Sequence, residues 1–359
     1  MVNRVLFDPH PKFNHRHFGL DYGETFHRDP IHRARELERV RLALFERFGR
    51  FDGVVAERGC LEEGVLPPVG IQPLDFLNAA LGGRLVYQPD EAVWTPDKPL
   101  AHIAALEDVR ALPELHWPDV PVFRDACEQY ETLRRAFPGL RPGGFQNIEF
   151  QRGGDRATLV IHSPYTTAFR LMGDVLFEHM MLEPELAEAV FEYIGRQYRT
   201  MFEAACARFG WRPDGAHFGD CAATMLSPDL FERFNLPRYR RAAAEMGRIR
   251  LHSCGPSAHL IDLFARIPRI DGLQIGMGSD FPRLRRLFPE TPVLAFLDPA
   301  LIRNGRPDEV AGALLGIAEE LGARCEIHLS SVDPDTRPDT LEAMLETAAR
   351  LNRRARSNP

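Results

Sequence analysis

Ile249-Arg250-Leu251-His252-Ser253-Cys254-Gly255-Pro256 reads as the end of a β-strand running into a turn. Ile249 and Leu251 alternate with polar residues, Gly255-Pro256 breaks the run, and a helix is expected over about 257–266. Residues two apart in a strand point to the same side, so His252 and Cys254 are expected to converge where the backbone begins to turn. An imidazole beside a thiolate suits a borderline-soft cation, zinc first. The plainer alternative is a half-buried histidine next to a core cysteine.

Working outward, the same unit repeats. Short apolar runs at 51–56, 145–150, 157–162, 214–218, 248–252, 271–275, 292–296 and 324–329 read as strands. Helical stretches follow most of them, at about 165–181, 184–209, 228–246, 257–266, 281–287, 307–321 and 338–354. Alternating strands and helices imply a parallel sheet, and eight such units imply an α/β fold of the (β/α)8 TIM-barrel type. An open doubly wound sheet is the alternative, but no Gly-x-Gly-x-x-Gly follows a strand, so no dinucleotide fingerprint is present. We expect one domain over 1–359, with an irregular arm and a helix in 1–50. The barrel then runs from 51 to 359, with a partly helical insertion at about 74–140.

Composition narrows the function. The chain of 359 residues is 44% hydrophobic and carries a net charge of −7, which does not fit a nucleic-acid footprint. Its six cysteines are widely and irregularly spaced, as in a reduced, cytoplasmic protein. No apolar run is long enough to span a membrane.

In a (β/α)8 barrel the active site lies at the C-terminal mouth, so strand ends form the candidate set. They are Glu57, Glu149 or Gln151, His162 with Ser163, Asp220 with Cys221, His252 with Cys254, Gly276, Asp298, and His328 with Ser330. His217 lies just before the acidic position. Glu57, Glu149, His162, His217, Asp298 and Ser330 are expected to line the pocket.

Four stretches give the chain a family resemblance. They are Ile161-His162-Ser163-Pro164-Tyr165-Thr166; His217-Phe218-Gly219-Asp220-Cys221 with Ser227-Pro228 and Phe234-x-x-Pro237; Leu251-His252-Ser253-Cys254-Gly255; and Pro334-Asp335-Thr336 with Leu341-x-Ala343-Met344. Together they resemble the uroporphyrinogen decarboxylase superfamily, nearest its zinc-dependent corrinoid:thiol methyltransferase branch. The resemblance implies a metal held by His252 and Cys254, a thiol acceptor, and a methyl group delivered by a corrinoid on a partner protein. It places Asp220 as general base, partner to a histidine ligand, or substrate anchor.

Two departures follow. The decarboxylase's N-terminal Arg-Gln-Ala-Gly-Arg stretch has no match. The cysteine that supplies the methyltransferases' third ligand is replaced by Ser330 or Ser331, so Cys221 or His328 must stand in. The alternatives are a cofactor-free decarboxylase of a polycarboxylated substrate, or a barrel that binds ligand without catalysis.

Overall fold

The computed structural model describes residues 4–357 except 60, 146–147, 151–154, 323 and 331. Side chains are described for all of these but 73–74, 141–142 and 148–150. Nine strands form the main sheet: β1 (Arg4–Asp8), β2 (Gly144–Phe145), β3 (Ile148–Phe150), β4 (Arg156–His162), β5 (Arg212–Gly219), β6 (Ile249–Ser253), β7 (Ile270–Gly276), β8 (Val293–Phe296) and β9 (Cys325–Ser330). Their spatial order is β1-β9-β8-β7-β6-β5-β4-β3-β2. β1 and β4–β9 pair in parallel, whereas β2 and β3 add antiparallel to the edge of β4.

Helices cover the outer face of the parallel strands, and the sequence alternation shows why. Ile249, Leu251 and Ser253 of β6 are fully buried, while Arg250 and His252 between them are half-buried. β9 repeats the pattern, with Cys325, Ile327 and Leu329 buried and His328 and Ser330 half-buried. One set of each strand packs under the helices and the other lines the barrel lumen. Helices Pro184–Phe209, Pro307–Leu321 and Pro338–Ser357 supply much of the outer layer, each opening with a proline at its first turn, where a missing N–H costs nothing.

Three expectations are corrected. The first barrel strand is β1, inside what the sequence presents as an irregular arm. Its run Val5-Leu6-Phe7 is three apolar residues with no alternation, though only Val5 and Phe7 are buried, and Pro9 and then the helix Pro11–Phe18 follow at once. Residues 51–56 are turns rather than a strand, with Gly53 at φ +72°, yet Phe51, Val54 and Val55 are buried. They still hold the stave position beside β1: the Phe7 N–H donates to the Val54 carbonyl at 3.0 Å. Asn352 of the last helix ties the two together, accepting from the Val5 N–H at 2.7 Å and donating to the Val5 and Gly53 carbonyls at 3.0 and 2.9 Å. Finally, the run at 145–150 is not a parallel stave but contributes to the antiparallel pair β2–β3. Period-2 alternation reports which face is buried, not the direction of the neighbouring strand.

No helix among the described residues is long and apolar enough to cross a membrane.

Candidate metal centre at the barrel mouth

His252 is the last lumen-facing residue of β6, and Cys254 stands on the turn that follows. Cys221 opens the short 3-10 helix Cys221–Met225 after β5, the strand paired to β6. The Asp220 N–H donates to the His252 carbonyl at 2.7 Å, holding the two strand tops in register. Candidate ligand atoms of Cys221, His252 and Cys254 all lie within 4.8 Å of one another. Cys221 and His252 are half-buried and Cys254 is exposed, so the group faces open space at the C-terminal mouth.

Two features fix this arrangement. His252 Nδ1 lies 3.0 Å from Gln274 Oε1 on the neighbouring strand β7. An amide oxygen can only accept, so Nδ1 carries the proton and Nε2 keeps the lone pair that a metal needs. Gly276, at the end of β7, lies under the Cys254 turn: a Cβ there would sit 2.0 Å from the Cys254 carbonyl oxygen, so a side chain would push the turn outward. Pairing with Cys221, and the closeness of His252, hold the Cys254 thiol below its ordinary range, and the same pairing with Cys254 pushes Cys221 up. One negative charge is thereby shared over the pair, with Cys254 as the thiolate. Among the described residues this is the one group of three such side chains close enough to hold a metal ion. Two sulfurs and one ring nitrogen form a donor set suited to zinc, with a tetrahedral position left over.

The other expected residues separate into distinct places. Asp220 lies behind the mouth, fully buried. Its Oδ1 accepts from Ser163 Oγ at 2.5 Å and Thr166 Oγ1 at 2.8 Å; its Oδ2 accepts from Asn235 Nδ2 at 2.8 Å and Tyr239 OH at 2.7 Å. Burial raises its pKa while these four donors oppose the rise. With its lone pairs occupied, Asp220 is an organising group joining helix Pro164–Met172 to the segment 228–246, not a base facing a substrate. Asn235 reaches it from a π-helical stretch, Phe231–Asn235, which re-aims side chains on that segment.

His162 and His217 line the lumen of β4 and β5, and burial pushes both imidazoles down to about 4. Both are therefore neutral at physiological pH. His162 lies over Gly219, and its Nδ1 is buried without a partner. His328 does not join the cysteine–histidine group. Phe296 stands between, edge-to-face with the His252 ring at 5.3 Å and the His328 ring at 6.2 Å. Ser330 is half-buried, opposite Asp8 in the β1–β9 register. Asp298 caps the helix Pro299–Asn304, accepting from the Ala300 N–H at 2.7 Å, and Glu57 is exposed on the turn after the irregular stave. The Glu149 side chain, Gln151 and Ser331 lie outside the described residues.

Sequence reasoning missed Gln274, Phe296 and Asp8. A lone amide between Leu273 and Ile275 was a usable signal for Gln274; Phe296 looked like one more apolar strand residue, and Asp8 belonged to an unrecognised strand.

A barrel with soft metal donors at its mouth defines a class of enzyme scaffold, and the comparisons specify it further. A model of the uroporphyrinogen decarboxylase (URO-D) family matches residues 153–351, more than half of the sequence. The chain belongs to this enzyme family, whose fold is a TIM barrel. Its structure is similar to that of a methyltransferase from Methanosarcina mazei, at 15% identity and a TM-score of 0.62, over 97% of this chain and 93% of that one. A looser likeness, to a B12-independent methionine synthase from Shewanella sp. W3-18-1, has 14% identity and a TM-score of 0.38, over 64% of this chain and 66% of that one, and carries no weight. No curated protein matches the sequence.

Proposed function

We propose that this chain is a zinc-dependent methyltransferase that transfers a methyl group to a thiol acceptor. The observation that carries the reading is the convergence of Cys221, His252 and Cys254 within 4.8 Å at the mouth. In this reading Cys221 takes the place of the cysteine that the sequence lacks after β9. Zinc held by the three side chains would stabilise the acceptor as its thiolate.

The chain's own residues do the positioning. Gln274 holds the His252 tautomer, Gly276 lets the Cys254 turn close over β7, and the buried knot at Asp220 fixes the backbone from which Cys221 projects. His162 and His217, held neutral by burial, add no positive charge beside the candidate ligands. Exposure of Cys254 leaves room for a bulky donor, and we assign that role to a methylcorrinoid carried by a partner protein. Such a corrinoid would supply the electrophilic methyl group and would keep the electron pair of the bond it gives up, while Cys221, His252 and Cys254 would hold the acceptor sulfur as the attacking thiolate.

Elemental analysis of the purified protein tests the reading, combined with an assay of methyl transfer from methylcobalamin to small thiols. About one zinc per chain is expected, lost in a His252→Ala, Cys254→Ser double variant. Full zinc retention in that variant would sink the proposal. Metal-independent decarboxylation of a porphyrinogen would replace it with the decarboxylase alternative.

A further inference from the structure

Across Phe296 from the metal centre, the mouth holds a second polar station that no part of the reading above uses. It is built by β1 and β9. Phe7 packs outward, edge-to-face on Phe13 and Phe48, so Leu6 and Asp8 on either side of it face the lumen. In the parallel register Leu6 lies opposite His328, and Asp8 opposite Ser330. Asp8 and His328 are thus diagonal neighbours on one face.

Three observations mark the station as unfinished. Asp8 is solvent-accessible, yet desolvation raises its carboxyl pKa, as for a group deep in a concavity rather than on a convex surface. The cationic neighbour acting on it among the described residues is His328, and burial holds that imidazole toward its neutral form. His328 Nε2 is buried without a hydrogen-bond partner, 4.0 Å from Glu326 two residues back on the same face. Arg4 lies opposite Glu326 in the register and offsets that carboxylate, whereas the charge acting on Asp8 is His328, an imidazole held toward neutrality, so the Asp8 side of the station is incomplete. A protonated amine would complete it: its N–H groups can reach a carboxylate and an imidazole lone pair together.

We infer that the Asp8–His328 station binds the cationic end of the methyl acceptor, which is therefore an aminothiol, with its sulfur at Cys221, His252 and Cys254 and its carbon chain lying over Phe296. This rests on the methyltransferase reading and names its substrate class. It also assigns β1 a role in specificity: Asp8 selects the charge of the acceptor, and Phe296 sets the spacing between its two ends.

The test uses the full chain loaded with cobalt(II), whose thiolate absorption reports sulfur binding without turnover. Two probe series are titrated, ω-aminothiols and ω-mercaptocarboxylates of increasing chain length. Aminothiols are expected to bind at least about tenfold tighter, the scale of one charge-assisted hydrogen bond, with an optimum chain length. Asp8→Asn should abolish the preference while keeping the cobalt spectrum, and His328→Leu should weaken aminothiol binding alone. Equal or tighter binding of the carboxylated series, or an unchanged preference in Asp8→Asn, overturns the inference and leaves the metal reading standing. If no thiol of either series perturbs the cobalt spectrum, both readings fail.

Discussion

Asp220 and Cys221 are neighbours in sequence and belong to opposite kinds of structure. Behind the strand ends, every lone pair of the Asp220 carboxylate is met by a donor from Ser163, Thr166, Asn235 or Tyr239. In front of them, the mouth is left incomplete: an exposed Cys254, a His252 nitrogen held free by Gln274, and buried nitrogens of His162 and His328 without partners. Folding alone explains the first region, because a buried polar group must be satisfied. It does not explain the second, where an exposed thiol and an open ring nitrogen converge on one point. Saturation, more than residue type, separates a structural acid from a ligand-binding site.

The largest expected effect is at Asp220. Asp220→Ala strands four buried donors and is expected to cost on the order of 4 kcal/mol of unfolding free energy, read by urea denaturation. A loss below about 1 kcal/mol would show that the knot is not structural. The next largest effect lies on the mouth side and has the opposite signature. Cys221→Ser or Cys254→Ser should lower zinc affinity by at least about 100-fold, while the metal-free protein unfolds within about 1 kcal/mol of wild type. Competition with a chelator measures the first quantity and denaturation the second.

A pH series sharpens the contrast. His162 faces His252 and Arg170, and His217 faces His252, Arg250 and His162; both titrate near 4 folded, against an ordinary value of 6.5. Between those values the unfolded chain binds protons that the folded chain does not. Their stabilisation is therefore full above about pH 6.5 and is lost as pH falls toward 4, at up to about 1.4 kcal/mol per pH unit for each group. A His162→Leu, His217→Leu variant in its metal-free form should show a shallower loss over that window. The smallest effect belongs to Gln274→Leu, which frees the His252 tautomer and should weaken zinc about tenfold with little change in stability.

Much of the candidate site was legible because it is local. His-x-Cys at a strand end places two donors together through strand geometry alone, whatever surrounds them. The regular half of the barrel was legible for the same reason: β4 to β9 and the helices between them carry their own periodicity. Reading failed where the decisive partner is distant in sequence. Gln274 fixes His252 from 22 residues away. Residues 51–55 serve as a stave without strand geometry because Asn352 and β1 hold them there. Asp220 carried every mark of a catalytic acid until its four donors, from three separate segments, were seen to close around it.

The sequence by itself determined the repeating strand–helix pattern, and with it a barrel whose mouth would carry a histidine and a cysteine side by side. Alternation and turn residues act over a few positions, so they can be read without knowing the partners. Tertiary structure alone decided which third donor joins that pair, that Asp220 turns away from the mouth, and that the first strand brings Asp8 to its rim. Each of these depends on which strand ends meet, and that is set by closure of the barrel rather than by any single stretch.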